Sequence, residues 1–382
     1  MFDPADIHRL PIFRHLSRVK LDEALTVLMP CEVGPGQVLM QEGESDRSMF
    51  IVLEGELLVG VGQSRTEVAR LGRGEIVGEM ALFGVLDRRA ATVTTLSNCK
   101  ILILEQSGMQ HLRRKRSQII DLFEEYALRT MARRLRMTNA QIGHMAAGQP
   151  LPGSSGQGLW SRMSSVFGGS RKPTTPPPNA LTMLRQAPAF RELDPRAVEG
   201  ISRRLSPRFC GAGERIIAEG EQGGDGFMVA SGEVDVYRAA SERTHERVAR
   251  LREGGVFGVV SMVDGAPRSA TCIAAEPTWL FTLPGYMLLV SDDIELYEVR
   301  AFRRGIIEAL AAHLRLANAH VDYLTQQLRQ GLLPDPTPRP TPQPFAGGFT
   351  TEPTRSLGVV EPEGPEVGSG PGLRYYDLGK KR

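Results

Sequence analysis

The second half of this 382-residue chain repeats the first. CGAGERIIAEGE echoes VGPGQVLMQEGE, so Gly213 stands where Gly36 stands and Gly220 where Gly43 stands. MVASGEVDVY echoes IVLEGELLVG, with Gly232 at the place of Gly55. Further upstream, QAPAFRELDPRAVEGI echoes LPIFRHLSRVKLDEAL. A repeat on this scale means one folding unit used twice. Glycines held in common mark turns that both units must make.

Between those glycines lie short apolar runs: Val38 to Met40, Met49 to Leu53, Leu57 to Val61 and Val68 to Leu71. Short strands separated by glycine turns predict an all-β sandwich or barrel. Two more strands are expected, Ala91 to Thr95 and Lys100 to Leu104. A helical lead-in from about Leu10 to Thr26 precedes them, with Ile12, Phe13, Leu16, Leu21, Leu25 and Leu28 near helical spacing. One helix is predicted from Ser107 to Met145 and a second from Asp292 to Gln330. On the second, Phe302, Ile306, Leu310, Leu314, Ala317, Val321, Leu324 and Leu328 step by four or three. That stripe suits a partner helix, and the expectation is a homodimer seam or a protein partner. His313 and His320 lie two turns apart on it, too far for one metal ion.

The 41 Gly and 26 Pro gather in two segments. Residues 146–180 read as a flexible linker around LWSRMSSVF, whose apolar residues fall on one helical face. Residues 332–382 read as a disordered tail, partly polyproline, ending in LRYYDLGKKR. The domains are therefore expected at 10–145 and 181–331. A formal net charge of +2 gives no ground for a nucleic-acid or membrane partner. Arg113 to Arg116 are four adjacent charges that cannot share one helix face, which suits a solvated surface. The start has no secretory pattern, no apolar run spans a membrane, and the four cysteines have no pairing or metal spacing. Together these point to a cytoplasmic protein with reduced thiols.

The chemistry concentrates in GEMALFGVLDRRAATV, Gly78 to Val93. Gly78 permits a sharp turn, and Met80 to Phe83 can form one helical turn with free N–H groups. Arg89 offers a planar fork of donors to an anion. Ala90 and Ala91 leave room for a ligand against the main chain. Glu79 would repel a bare phosphate, so it makes sense only for a ligand that also carries a hydroxyl donor. No Walker loop, nucleophile elbow, HExxH or paired carboxylates appear, so no enzyme is expected and neither a cofactor nor a metal.

This run resembles the phosphate-binding cassette of cyclic nucleotide-binding domains at Gly78, Glu79, Met80, Ala81, Leu82, Arg89, Ala90 and Ala91. The resemblance implies a mainly β fold with flanking helices: two jelly-roll domains, each followed by a helix. It implies that Glu79 holds the ribose 2′-OH and Arg89 the cyclic phosphate. Kinase-type members space these residues one position closer, which makes Arg88 the rival of Arg89. The sequence RAATV keeps Arg89 in the family's register.

GVFGVVSMVDGAPRSATC is the second cassette. Gly258, Arg268 and Ser269 are kept, but Val259 replaces the carboxylate. A charged hydrogen bond is worth about 1.5–3 kcal/mol, so its loss predicts roughly ten- to a hundredfold weaker binding. The second site is expected to be degenerate: empty, weak or tuned to another ligand.

The expectation is a non-enzymatic sensor that binds cyclic AMP, in preference to cyclic GMP, in its first domain and signals to a protein partner. Cyclic-GMP-selective members of the family often place Thr where this chain has Ala90. A transcription factor of the catabolite-activator type is the alternative. Its helix-turn-helix is replaced here by Pro/Gly-rich sequence, so no direct DNA binding is expected. A kinase regulatory subunit would need a docking segment before Leu10. A ligand-free scaffold is the remaining alternative.

Overall fold

The computed structural model describes residues 3–84, 87–146, 173, 175–239, 245–289, 294–331 and 374–375. The chain opens with α1 (Pro4–His8) and α2 (Arg18–Leu25). Asp3 accepts the Ala5 N–H at 2.9 Å and Ser17 accepts the Lys20 N–H at 3.4 Å, so each helix begins on a side-chain cap. Then come β1 (Leu28–Val33), β2 (Val38–Met40), β3 (Met49–Glu54), β4 (Leu57–Val61), β5 (Thr66–Leu71) and β6 (Ile76–Val77). The short helix α3 (Glu79–Leu82) separates these from β7 (Thr92–Thr95) and β8 (Cys99–Leu104). Helices α4 (Gln106–Arg114) and α5 (Ile119–Ala146) complete the first half.

The second half runs in the same order. Helices α6 (Ala180–Gln186) and α7 (Pro195–Ser202) precede β9 (Ser206–Cys210), β10 (Arg215–Ile217), β11 (Gly226–Ser231) and β12 (Val234–Ala239). Next are β13 (His245–Leu251), β14 (Val256–Phe257), α8 (Val259–Asp264), β15 (Thr271–Ala274) and β16 (Thr278–Leu283). A 3-10 turn at Gly285–Leu288 leads to α9 (Leu296–Arg329).

The sheets show the repeat directly. One half stacks β1-β8-β3-β6 on β2-β7-β4-β5; the other stacks β9-β16-β11-β14 on β10-β15-β12-β13. Every pairing is antiparallel, and each strand of one half has its counterpart in the other. The glycine spacing predicted a β sandwich or barrel, and these are the two jelly rolls that the resemblance implied.

Strand β3 explains why its sequence shows no alternation. Phe50 and Val52 face the space between the sheets with Leu57, Val93 and Ile101. Met49, Ile51 and Leu53 face the helical layer, with Phe13 and Phe123. A strand covered on both faces is apolar throughout. The four cysteines are buried and none is in a disulfide, and burial pushes the Cys210 and Cys272 thiols up to about 12.

Several expectations need correction. Leu28 belongs to β1 rather than to the lead-in helix. The helix expected from Ser107 to Met145 is two helices. Arg116 takes a left-handed φ of 52°, and the Ser117 hydroxyl caps the next helix through the Ile119 N–H at 3.1 Å. The stripe on α9 is filled within the chain. Phe302, Ile306, Leu310, Leu314, Ala317, Val321 and Leu324 share a core with Leu128, Met131, Ala132, Leu135 and Ile142 of α5. The helix pairing exists, but its partner is the same molecule's first half. Arg300 fixes one end by a bidentate ion pair with Asp121 at 2.7 and 2.8 Å.

Within LRYYDLGKKR, the stretch that breaks the tail's Pro/Gly-rich pattern, β17 (Arg374–Tyr375) pairs antiparallel with Cys31 and Glu32 of β1. An edge strand leaves unpaired N–H and C=O groups that accept such an addition. The segment LWSRMSSVF lies outside the described residues, as does most of the tail. Among the described residues no helix is long and apolar enough to cross a membrane.

Candidate functional site

Gly78 sits at φ 90°, at the N-terminus of α3. A Cβ there would lie 2.5 Å from the Ser48 carbonyl oxygen and 2.7 Å from Arg89 Nη1, so only glycine fits. The turn carries Glu79, Met80 and Ala81 along one wall of a cleft of about 720 Å³, open solvent included. Arg89, Ala90 and Ala91 line the same cleft. Seven of the eight cassette residues therefore line one cleft, while Leu82 packs into the core beside Phe13 and Phe123.

Arg89 is 3% exposed. Its Nη1 donates to the Ser48 carbonyl at 2.6 Å and its Nη2 to the Ser48 hydroxyl at 2.8 Å. Asp46 completes the hold as an ion-pair partner of Nη2. Burial would raise the Asp46 pKa, but hydrogen bonds from Ser48 and Arg89 and the Arg89 charge bring it below the usual carboxylate value. The Arg89 guanidinium also lies 5.9 Å from the Phe50 ring centroid. Its Nε has no partner. Arg88 is exposed and donates to the Gly43 carbonyl at 2.8 Å, away from the cleft.

Glu79 is 1% exposed. Its Oε1 accepts from Arg134 of α5 at 3.0 Å, while Oε2 has no partner. A buried carboxylate oxygen without a donor is costly unless a ligand supplies one. The cleft thus carries an unused acceptor on Glu79 and an unused donor on Arg89.

Sequence reasoning missed Arg134, Asp46 and Ser48, which set the charge and posture of the two expected residues. It also missed Met137 and Thr138 of α5 and Leu314 and Asn318 of α9, which wall the cleft. No local motif marks these positions, because they reach the site from outside the cassette, on α5, on α9 and on the loop before β3.

The second cleft, about 730 Å³ with open solvent included, is lined by Gly258, Val259, Arg268 and Ser269. Gly258 repeats the left-handed turn at φ 73°. Val259 is 1% exposed and offers no acceptor. Arg268 Nη1 donates to the carbonyls of Asp225 and Gly258 at 2.7 and 2.9 Å and to the Ser261 hydroxyl at 2.8 Å.

Each half is thus a jelly roll with a short helical turn and a buried arginine at its cleft. The family model for the cyclic nucleotide-binding domain matches residues 30–116 and 207–289, and the chain contains two such domains. The cyclic AMP receptor protein of Thermus thermophilus is 29% identical over 160 residues, covering 40% of this chain and 74% of that protein. A cAMP-dependent protein kinase regulatory subunit of Mycosarcoma maydis is 34% identical over 95 residues, 25% of this chain and 18% of that protein. A putative potassium channel protein of Rhodopseudomonas palustris is 27% identical over 107 residues, 28% of this chain and 26% of that protein. The chain thus spans about a quarter or less of the channel and of the kinase subunit. Among solved structures, the regulatory domain of Toxoplasma gondii PKA with cAMP aligns over 86% of this chain and 95% of that one. Its identity is 16% and its TM-score 0.27, too low to speak to domain arrangement.

Proposed function

We propose that the chain is a non-enzymatic cyclic nucleotide sensor whose ligand enters the first cleft. Glu79 Oε2 would accept the ribose 2′-OH, and Arg89 would donate to the cyclic phosphate. The observation that carries this reading is the pair of unused buried atoms, Glu79 Oε2 and Arg89 Nε, on one cleft of suitable size. Gly78, Met80, Ala81, Ala90 and Ala91 would form the close backbone wall. Cyclic AMP is the proposed ligand over cyclic GMP, because Ala90 has no hydroxyl to meet a guanine amino group. Thr138 and Asn318 would offer polar groups to the base edge.

Ligand binding would be passed on through Arg134, which ties Glu79 to α5. A protein partner would read the resulting change, provided the ligand binds one helix position better than the other. The similarity to a cyclic AMP receptor protein and to a kinase regulatory subunit supports a regulatory rather than a catalytic role.

Isothermal titration of the full chain with cyclic AMP tests this. One tight site per chain is expected. Arg89→Ala should weaken it by about ten- to a hundredfold, as loss of charged hydrogen bonds implies, while Arg268→Ala leaves it intact. The reverse pattern would overturn the assignment.

A further inference from the structure

The second cleft differs from the first in its charge balance as well as in Val259. Register equates the two sites: Phe50 pairs with Val77 just before the first cassette, and Phe227 pairs with Phe257 just before the second. Counting back from Phe227 as from Phe50 sets Gly223 at the place of Asp46. Asp46 is the counter-charge of Arg89. Gly223 has no side chain to offer, and the Arg268 guanidinium takes the space: a Cβ there would lie 2.5 Å from Nη2 and 2.6 Å from Nε.

Arg268 is accordingly a cation without a paired anion among the described residues. It is 7% exposed, its polar contacts are neutral oxygens, and its Nε has no partner. Glu221 and Asp225, the carboxylates whose charge reaches it, are themselves exposed. The Asp225 carboxylate is engaged by the Gly285 N–H at 2.9 Å. Burial lowers the Arg268 pKa, the direction expected for a desolvated cation. Such a charge is costly until an anion joins it.

The rest of the cleft is mostly apolar. Ile217, Val236, Val248, Leu251, Phe257 and Val259 line it, and Leu135 and Ile142 of α5 close it. Burial holds His313, also on the lining, down to about 4, so it is neutral near pH 7 and adds no second cation. One guanidinium fork matches one carboxylate. The walls match an apolar body, and the Val259 position gives a sugar hydroxyl no acceptor.

We propose that the second cleft binds a small organic monoanion, a carboxylate on an aromatic or aliphatic body, in place of a cyclic nucleotide. Its carboxylate would pair with Arg268 and its body would fill the apolar wall. This proposal stands on residues separate from the first cleft, so either reading can fail alone.

The test uses the full chain with cyclic AMP present in excess. Phenylacetate, cinnamate, hexanoate and 1-naphthoate are titrated by calorimetry, each beside its neutral amide. At least one acid should bind once per chain, with its amide weaker by about tenfold or more, as loss of a charged hydrogen bond implies. Arg268→Gln should remove acid binding. Val259→Glu should weaken it by at least about tenfold, by placing a like charge beside the carboxylate. The idea fails if no acid binds at millimolar concentration, or if amides bind as well as acids. Two cyclic AMP molecules per chain would also overturn it. The comparison of acid with amide needs no variant, so a misfolded Arg268→Gln protein would leave it intact.

Discussion

A single carboxylate oxygen carries most of the argument at the residue scale. Glu79 was legible because it sits in a recognisable cassette, and its burial at 1% exposure fits that role. Arg134 was not legible, since it lies on a different element and belongs to no local pattern. Yet Arg134 occupies Oε1 and leaves Oε2 as the open acceptor of this carboxylate. On the proposed reading the sugar hydroxyl is therefore worth a charged hydrogen bond. The 2′-deoxy analogue of cyclic AMP should bind the unaltered chain about tenfold or more weaker than cyclic AMP. In Glu79→Ala the two nucleotides should bind alike. Competition against a fluorescent cyclic nucleotide measures both, and continued discrimination by Glu79→Ala would remove Glu79 from the ribose role.

At the scale of the element, α5 and α9 form a packed pair with one unsatisfied acid inside it. Glu124 is 8% exposed and its Oε2 has no partner. Burial, helped by the Asp121 charge and opposed by Arg303, Arg113 and Arg300, raises its pKa from 4.5 to about 7. Between those values the folded state keeps a proton that the unfolded state has lost. Stability from this group is therefore present below about 4.5, falls as pH rises, and levels off above about 7. The full effect is of order 3 kcal/mol. Urea denaturation across this range should show the decline, and Glu124→Gln should flatten it. An unchanged slope in that variant would place the titrating group elsewhere. The stripe on α9 was visible as a period near 3.6, but periodicity names an apolar face and not the surface that covers it. Here α5 was within reach of the same chain and took the place expected for a second molecule.

Across the whole molecule the two halves wall each other's clefts. Leu314 and Asn318 of α9 line the first, while Leu135, Asn139 and Ile142 of α5 line the second. Two arginines on α5 make the link explicit. Arg134 grips Glu79 of the first cassette. Arg136 grips Asp264 at the end of the second cassette's helix, with both contacts at 2.9 Å, and donates to the Pro267 carbonyl at 2.7 Å. Pro267 directly precedes Arg268. A displacement of α5 by ligand in the first cleft would therefore be felt at the second cassette. Cyclic AMP should change amide hydrogen exchange over residues 259–264 in the unaltered chain. Arg136→Ala should suppress that response while leaving cyclic AMP affinity within about threefold, since the side chain does not line the first cleft. A response that survives in Arg136→Ala would mean the coupling runs by another route.

The repeat, the strand runs and both cassettes were determined by the sequence alone, because glycine turns, apolar spacing and a short anion-binding motif are local properties of the chain. The loss of the acceptor at Val259 was equally plain. Tertiary structure decided what each local feature meets. It placed α5 rather than a second molecule against α9, and Arg134 against Glu79. It also set Gly223 opposite Arg268 where Asp46 stands opposite Arg89. Those pairings depend on which surfaces come within reach once the sheets have closed, and separation along the chain carries no record of that.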